Sequence, residues 1–268
     1  MEPDSSYKGK RGQVLSNLKS HPLSDWLLFW VAIPALLLLI NLLPQAVRDT
    51  SFILDTADPW RLQTWFLSSY THSQLYPHLA GNLAFYVVVL LMIFAFEADR
   101  RRFRIMAVWS FLAVPFICSL LTILFWYVIG RTTTGQGFSA ITGALLAYAM
   151  FSFIIWGIGE KLGDFDHREL FAGSRTRYRV VKILLAVILA LIVLMGIETG
   201  EFMDAGGSVS NGIAHFGGFM TSLMLLLVFD LKYEKRRYFD MMFGAALLVG
   251  IFWYGLYLAR VARVVTGG

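Results

Sequence analysis

The chain is 268 residues long, 57% hydrophobic and only 15% charged. With a mean hydropathy of +0.62, that balance excludes an ordinary soluble domain and predicts an all-α, polytopic membrane protein, because lipid offers no partner to an unpaired backbone group. The net charge of +5 sits in short loops beside apolar runs, so it reads as membrane topology and not as nucleic-acid binding.

In chain order, residues 1–24 form a polar tail expected to lack regular structure, with His21 solvated. Seven apolar runs follow, at 26–47, 77–97, 105–129, 138–157, 180–197, 212–229 and 239–259. The first run is too long and too late for a cleaved signal peptide, and Ser24–Asp25 offers it an N-cap. The single cysteine, Cys118, rules out an intrachain disulfide and a cysteine-rich metal site, and lies in an apolar run as a small packing residue. The expected organisation is the tail, a six-helix core over 25–230, and a basic loop with a seventh helix over 231–268.

Every Lys and Arg except Arg48, Arg61, Arg131, Arg260 and Arg263 falls in the tail, in the loops after runs two, four and six or, for Lys182, at the adjoining edge of run five. Positive residues collect on the cytoplasmic side, which predicts a cytoplasmic N-terminus and, with seven spans, a C-terminus outside. His167, in the loop after run four, is expected to be solvated on the cytoplasmic side.

This orientation brings polar groups of three runs to one depth near the outer face. His78 and Asn82 open run two and share a helix face. Ser139 opens run four and His215 opens run six. Polar groups in lipid are costly and mark bundle interiors or wet cavities. A serine, a histidine and a further His–Asn pair are the parts of acyl-transfer chemistry: nucleophile, general base and oxyanion donors. Gly135 and Gly137 let the backbone turn sharply before Ser139, whose helix start leaves free N–H groups. Gly143 lies one turn below Ser139, and Gly217, Gly218 and Ser222 lie beside and below His215. Small residues at this spacing let two membrane helices approach closely, which would bring Ser139 and His215 within reach of each other.

Four stretches carry a family resemblance: "PWRLQTWFLSSYTH" with Trp60 and Arg61, "HLAGN" at 78–82, "GFSA" at 137–140 and "AHFGGFMTS" at 214–222. Together and in this order they resemble the rhomboid intramembrane serine proteases. The resemblance covers about 60–226 and implies a six-helix bundle plus one additional C-terminal transmembrane helix. It implies a Ser139–His215 dyad without a carboxylate. His78, Asn82 and the Ser139 backbone N–H would form the oxyanion hole, and Gly137 would lie against substrate. Trp60 and Arg61 would shape an outer loop, with Arg61 free to pair with an acid there. Substrates would be transmembrane segments of other proteins entering from the bilayer past run five or the loop 198–211. The site would open to the extracytoplasmic side of a cell membrane, and no cofactor is implied. The chain departs from the family pattern at Ala140, at Gly143, where an aromatic residue often packs on the base, and at Ser222, where glycine is common. His72 lies six residues before His78, one more than the family's upstream histidine, and is assigned no catalytic role.

Three other readings compete. Inactive rhomboid-like proteins that bind or escort clients usually lack the serine or the histidine, and both are present. A channel or transporter predicts polar groups continuing to the inner side, whereas runs two, four and six turn apolar below their first turns, with Thr142 and Ser152 as minor exceptions. A metal site on His78 and His215 lacks a third ligand at that depth.

Overall fold

The computed structural model describes residues 5–72, 78–162 and 212–230, with short helical pieces between 248 and 263. It is predominantly helical. In chain order it contains α1 (Ser5–Ser20), α2 (Leu23–Asn41), α3 (Gln45–Ser51), β1 (Leu54–Asp55), α4 (Leu62–Leu67), α5 (Ala80–Phe96), α6 (Arg100–Val128), β2 (Thr134–Gly135), α7 (Ser139–Leu162) and α8 (Gly212–Asp230). Two of these, α2 and α6, are long and apolar enough to cross a membrane. Shorter apolar helices cover Ala80–Phe96, Ser139–Phe153 and Gly212–Leu226. The helix α7 is central: it packs most extensively on α8, then on α5. The runs at 180–197 and most of 239–259, His167 and the loop 198–211 lie outside the described residues.

Several boundaries differ from the sequence reading. The N-terminal tail contains α1, docked by the buried Asn17, whose Nδ2 donates to the Ala95 carbonyl at 3.0 Å. His21 is buried, not solvated, with its ring stacked 4.0 Å from Phe94. Pro22, not Ser24–Asp25, precedes α2, and it makes no side-chain cap. The first apolar helix ends at Asn41 rather than 47, before Pro44 opens the separate α3. The third starts at Arg100 rather than 105, because the Asp99 side chain accepts from the N–H groups of Arg101 and Arg102 and caps a basic first turn. An apolar-run criterion misses that turn.

Both long helices widen into one π turn, at Leu28–Ala32 and Trp109–Ala113, and each turn lies just before a proline, Pro34 or Pro115. Proline has no N–H and crowds the preceding turn, so carbonyls upstream lose their helical donor. Two tyrosines supply it. Tyr86 Oη donates to the Phe29 carbonyl at 2.6 Å, and Tyr70 Oη donates to the Phe111 carbonyl. These bonds tie α5 to α2, and the turn after α4 to α6.

At the far end of α5, the buried Glu97 gathers a complete set of donors. Arg102 Nε and Nη2 reach its carboxylate at 2.8 and 2.7 Å, Tyr148 Oη at 2.8 Å and Ser152 Oγ at 2.9 Å. The Asp99 N–H adds a bond of 2.7 Å. This clamp fixes α5, α6 and α7 relative to one another, at the end opposite Ser139.

Candidate active site

Ser139 is the first residue of α7, and the preceding loop is held along its length. Leu54 pairs with Gly135 and Asp55 with Thr134 in a two-stranded ribbon. The Gly137 N–H donates to the Ser68 carbonyl at 2.9 Å. Gly137 has φ +140, a conformation that side chains rarely adopt, and a Cβ there would stand 3.4 Å from Ser139 Oγ. Gly137 thus takes a backbone conformation suited to glycine, whereas Gly135, also expected to help the chain turn, lies in β2.

Phe138 fixes the start of the helix. Its ring is fully buried, with centroids 6.1 Å from Tyr70, 5.6 Å from Tyr86 and 6.2 Å from Phe111. Its carbonyl accepts from the N–H groups of Ile141 and Thr142, each at 3.1 Å. The Ser139 and Ala140 N–H groups, at a helix start, have no intrahelical carbonyl to bond and form no hydrogen bond among the described residues.

The approach of α8 is set by two glycines. A Cβ on Gly143 would lie 2.7 Å from the His215 carbonyl oxygen, and one on Gly218 would lie 2.1 Å from the Ala140 carbonyl oxygen. No alanine fits at either place, so the helices cross backbone to backbone in the layer that holds Ser139 and His215. This also accounts for Gly143: the space an aromatic ring would need is filled by the His215 backbone. Ala140, Ala144, Ala214 and Cys118 form a small-residue cluster in the same layer, with Cys118 Sγ 3.3 Å from the Ala214 carbonyl. Ser222 is buried lower on α8. Ser139 and His215 are themselves half-buried, so the layer is not sealed.

Asn82 and His72 complete the polar group. Asn82 Nδ2 lies 2.9 Å from His72 Nε2 and donates to the His78 carbonyl at 3.2 Å. The Phe138 N–H donates to the same Nε2 at 3.3 Å. His72, given no role by the sequence reading, therefore touches both Asn82 and the residue before Ser139. Its position one residue off the family spacing concealed this; the turn at Ser68–Tyr70 and two clasps from α2 and α3 set its place instead. The His72 N–H donates to Asn41 Oδ1 at 2.7 Å, and Arg48 Nη1 donates to the His72 carbonyl at 2.8 Å. Burial, with a smaller contribution from His78, pushes the His72 ring down to about 4, so it is neutral near neutral pH. The His78 side chain is exposed, and both His72 and His78 lie near enough to His215 for a charge on either to be felt there. Trp60 projects into the surroundings at 86% exposure; the neighbouring Trp65 anchors the loop, donating from Nε1 to the Pro59 carbonyl at 2.9 Å. Arg61 forms no ion pair among the described residues.

A polar cavity with room for about one water molecule lies beside Gly137, lined in part by Ser68, Ser69, Ser119, Thr122 and Gln136. Among the described residues no group of three His, Cys, Asp or Glu side chains could hold a metal ion. Compared with protein-family models, curated proteins and solved structures, the chain matches none.

Proposed function

We propose that the chain is an intramembrane serine endopeptidase of the rhomboid type, with Ser139 as nucleophile and His215 as general base. In this reading seven helices span a cell membrane, the N-terminus is cytoplasmic, and the site opens to the extracytoplasmic side. Substrates are proteins with a transmembrane segment. The observation that carries the reading is the crossing of α7 and α8, closed to backbone contact at Gly143 and Gly218 in the layer of both residues.

His215 takes the proton of the Ser139 hydroxyl as Oγ attacks a substrate carbonyl. The developing oxyanion is held by the Ser139 N–H at the start of α7, with His78 and Asn82 as further donors. His215 then returns the proton to the leaving amine, and a water hydrolyses the ester to free Ser139. The half-buried dyad and the small polar cavity beside Gly137 suit a reaction that needs water inside an apolar bundle. As placed, both Asn82 N–H groups are engaged, by His72 and by the His78 carbonyl. An oxyanion donor role for Asn82 therefore requires one of these bonds to be shared or exchanged when substrate enters.

The test is cleavage of a single-span membrane substrate by purified protein in liposomes, beside Ser139→Ala and His215→Ala. Cleavage lost in both variants supports the dyad. Equal cleavage in all three removes Ser139 from the reaction. No cleavage, together with no labelling of Ser139 by a fluorophosphonate, favours an inactive client-binding protein instead.

A further inference from the structure

The polar group around Ser139 contains one buried side chain that the proposed reaction does not use, His72. The residue is 4% exposed, and its two ring nitrogens have different surroundings. Nε2 meets the Phe138 N–H at 3.3 Å and the Asn82 amide at 2.9 Å. A backbone N–H can only donate, so Nε2 must be the acceptor and the proton must sit on Nδ1. Asn82 must then turn its NH2, and not its oxygen, toward His72. That orientation also satisfies the His78 carbonyl, which can only accept. One tautomer of one histidine thus fixes which way the Asn82 amide points.

The arrangement has a cost. Nδ1 is sealed from solvent with no hydrogen-bond partner among the described residues. A buried donor left unpaired opposes folding, and such groups persist where other contacts override them. Here the overriding contacts are on the backbone: Asn41 and Arg48 hold the His72 N–H and carbonyl. The ring is delivered to Asn82 and Phe138 by residues of α2 and α3, before either partner contributes.

We propose that His72 is a positioning residue of the site, whose Nε2 acceptor orients the Asn82 amide and fixes the Phe138 peptide from which Ser139 projects. The inference rests on the serine-protease reading. Neutrality of the ring, maintained by burial, keeps Nε2 available as an acceptor near neutral pH. The charged or titratable groups around it are Arg48 on its carbonyl side and the rings of His78 and His215.

Three substitutions separate this role from mere filling of space. His72→Gln places an acceptor where Nε2 lies. His72→Asn carries an acceptor too short to reach it, and His72→Leu carries none. Cleavage in liposomes is measured with kcat and KM separated, and thermal unfolding of each variant is followed in the same lipid. The expected result is that Gln retains kcat within about threefold, whereas Asn and Leu lose about tenfold to a hundredfold with KM little changed. Hydrogen exchange over 133–142 rises in Leu and stays near the parent in Gln. Equal activity in all three, or equal loss in all three, overturns the proposal. Wild-type protein that cleaves while Ser139→Ala does not shows that the underlying reading survives such a failure. Wild-type protein that neither cleaves nor takes a fluorophosphonate ends both.

Discussion

The two ends of α5 and α7 carry polar networks of opposite character. At one end every Glu97 oxygen is engaged, by Arg102, Tyr148, Ser152 and the Asp99 N–H. At the other end donors are left over: among the described residues His72 Nδ1 is buried without a partner, and the first N–H groups of α7 are unused. A saturated buried network resists change, because removing any member strands the others. An unsaturated one gives up stability and has capacity for an incoming polar group. The difference gives the Glu97 carboxylate the part of holding α5, α6 and α7 together and leaves unpaired donors beside Ser139.

The sharpest way to break this comparison is Glu97→Ala. It strands Tyr148 and Ser152 in the core, whereas Arg102, whose side chain is 19% exposed, can turn toward water. Thermal or denaturant unfolding is expected to show a loss of about 3 kcal/mol. A loss below about 1 kcal/mol would mean that the clamp does not hold the helices. Next in size is Gly218→Ala. The new methyl meets the Ala140 carbonyl oxygen and must push α8 from α7, for about 2 kcal/mol of stability. Fluorophosphonate labelling of Ser139 is expected to fall in parallel, and labelling at the parent rate would mean that the layer tolerates separation.

Much of this was legible in the sequence, for separable reasons. Apolar runs located α2, α5, α6, α7 and α8, and small residues at helical spacing located the crossing, where a Cβ on Gly143 or Gly218 would meet the backbone of the facing helix. Ser139 at the start of α7 and Asn82 in the first turn of α5 lie where the apolar runs put them. The sequence did not reveal His72, because its place depends on Asn41 and Arg48, which are distant in sequence and lie in no motif. Nor did it reveal α1, whose polar composition hides the one buried contact that docks it, from Asn17 to Ala95. Tertiary hydrogen bonds from single residues leave no periodic trace.

Ser139→Ala sharpens the contrast from the other side. Removing a half-buried hydroxyl from an unsaturated site is expected to change stability by less than about 0.5 kcal/mol while abolishing cleavage. If the variant instead destabilised the protein as Glu97→Ala does, the two ends would not differ in kind.

The smallest effect concerns His21, which lies near Glu97 but outside its saturated network, with neither ring nitrogen hydrogen-bonded among the described residues. Burial against Phe94 and Phe103 lowers its pKa from the ordinary 6.5; Asp25, 3.6 Å away, and Glu97 oppose the shift, and Arg100 adds to it. The stacked ring is therefore favoured in its neutral form. A group depressed in the folded state contributes stability that is complete above its unfolded pKa and is lost as pH falls through the folded value. Acidification below about 6.5 should then loosen the contact between α1 and the end of α5. Hydrogen exchange over residues 5–20 is expected to be faster at pH 5 than at pH 8, and His21→Phe, which keeps the stacking and cannot charge, should remove the difference. A pH dependence that survives in His21→Phe would assign it to another group at this end.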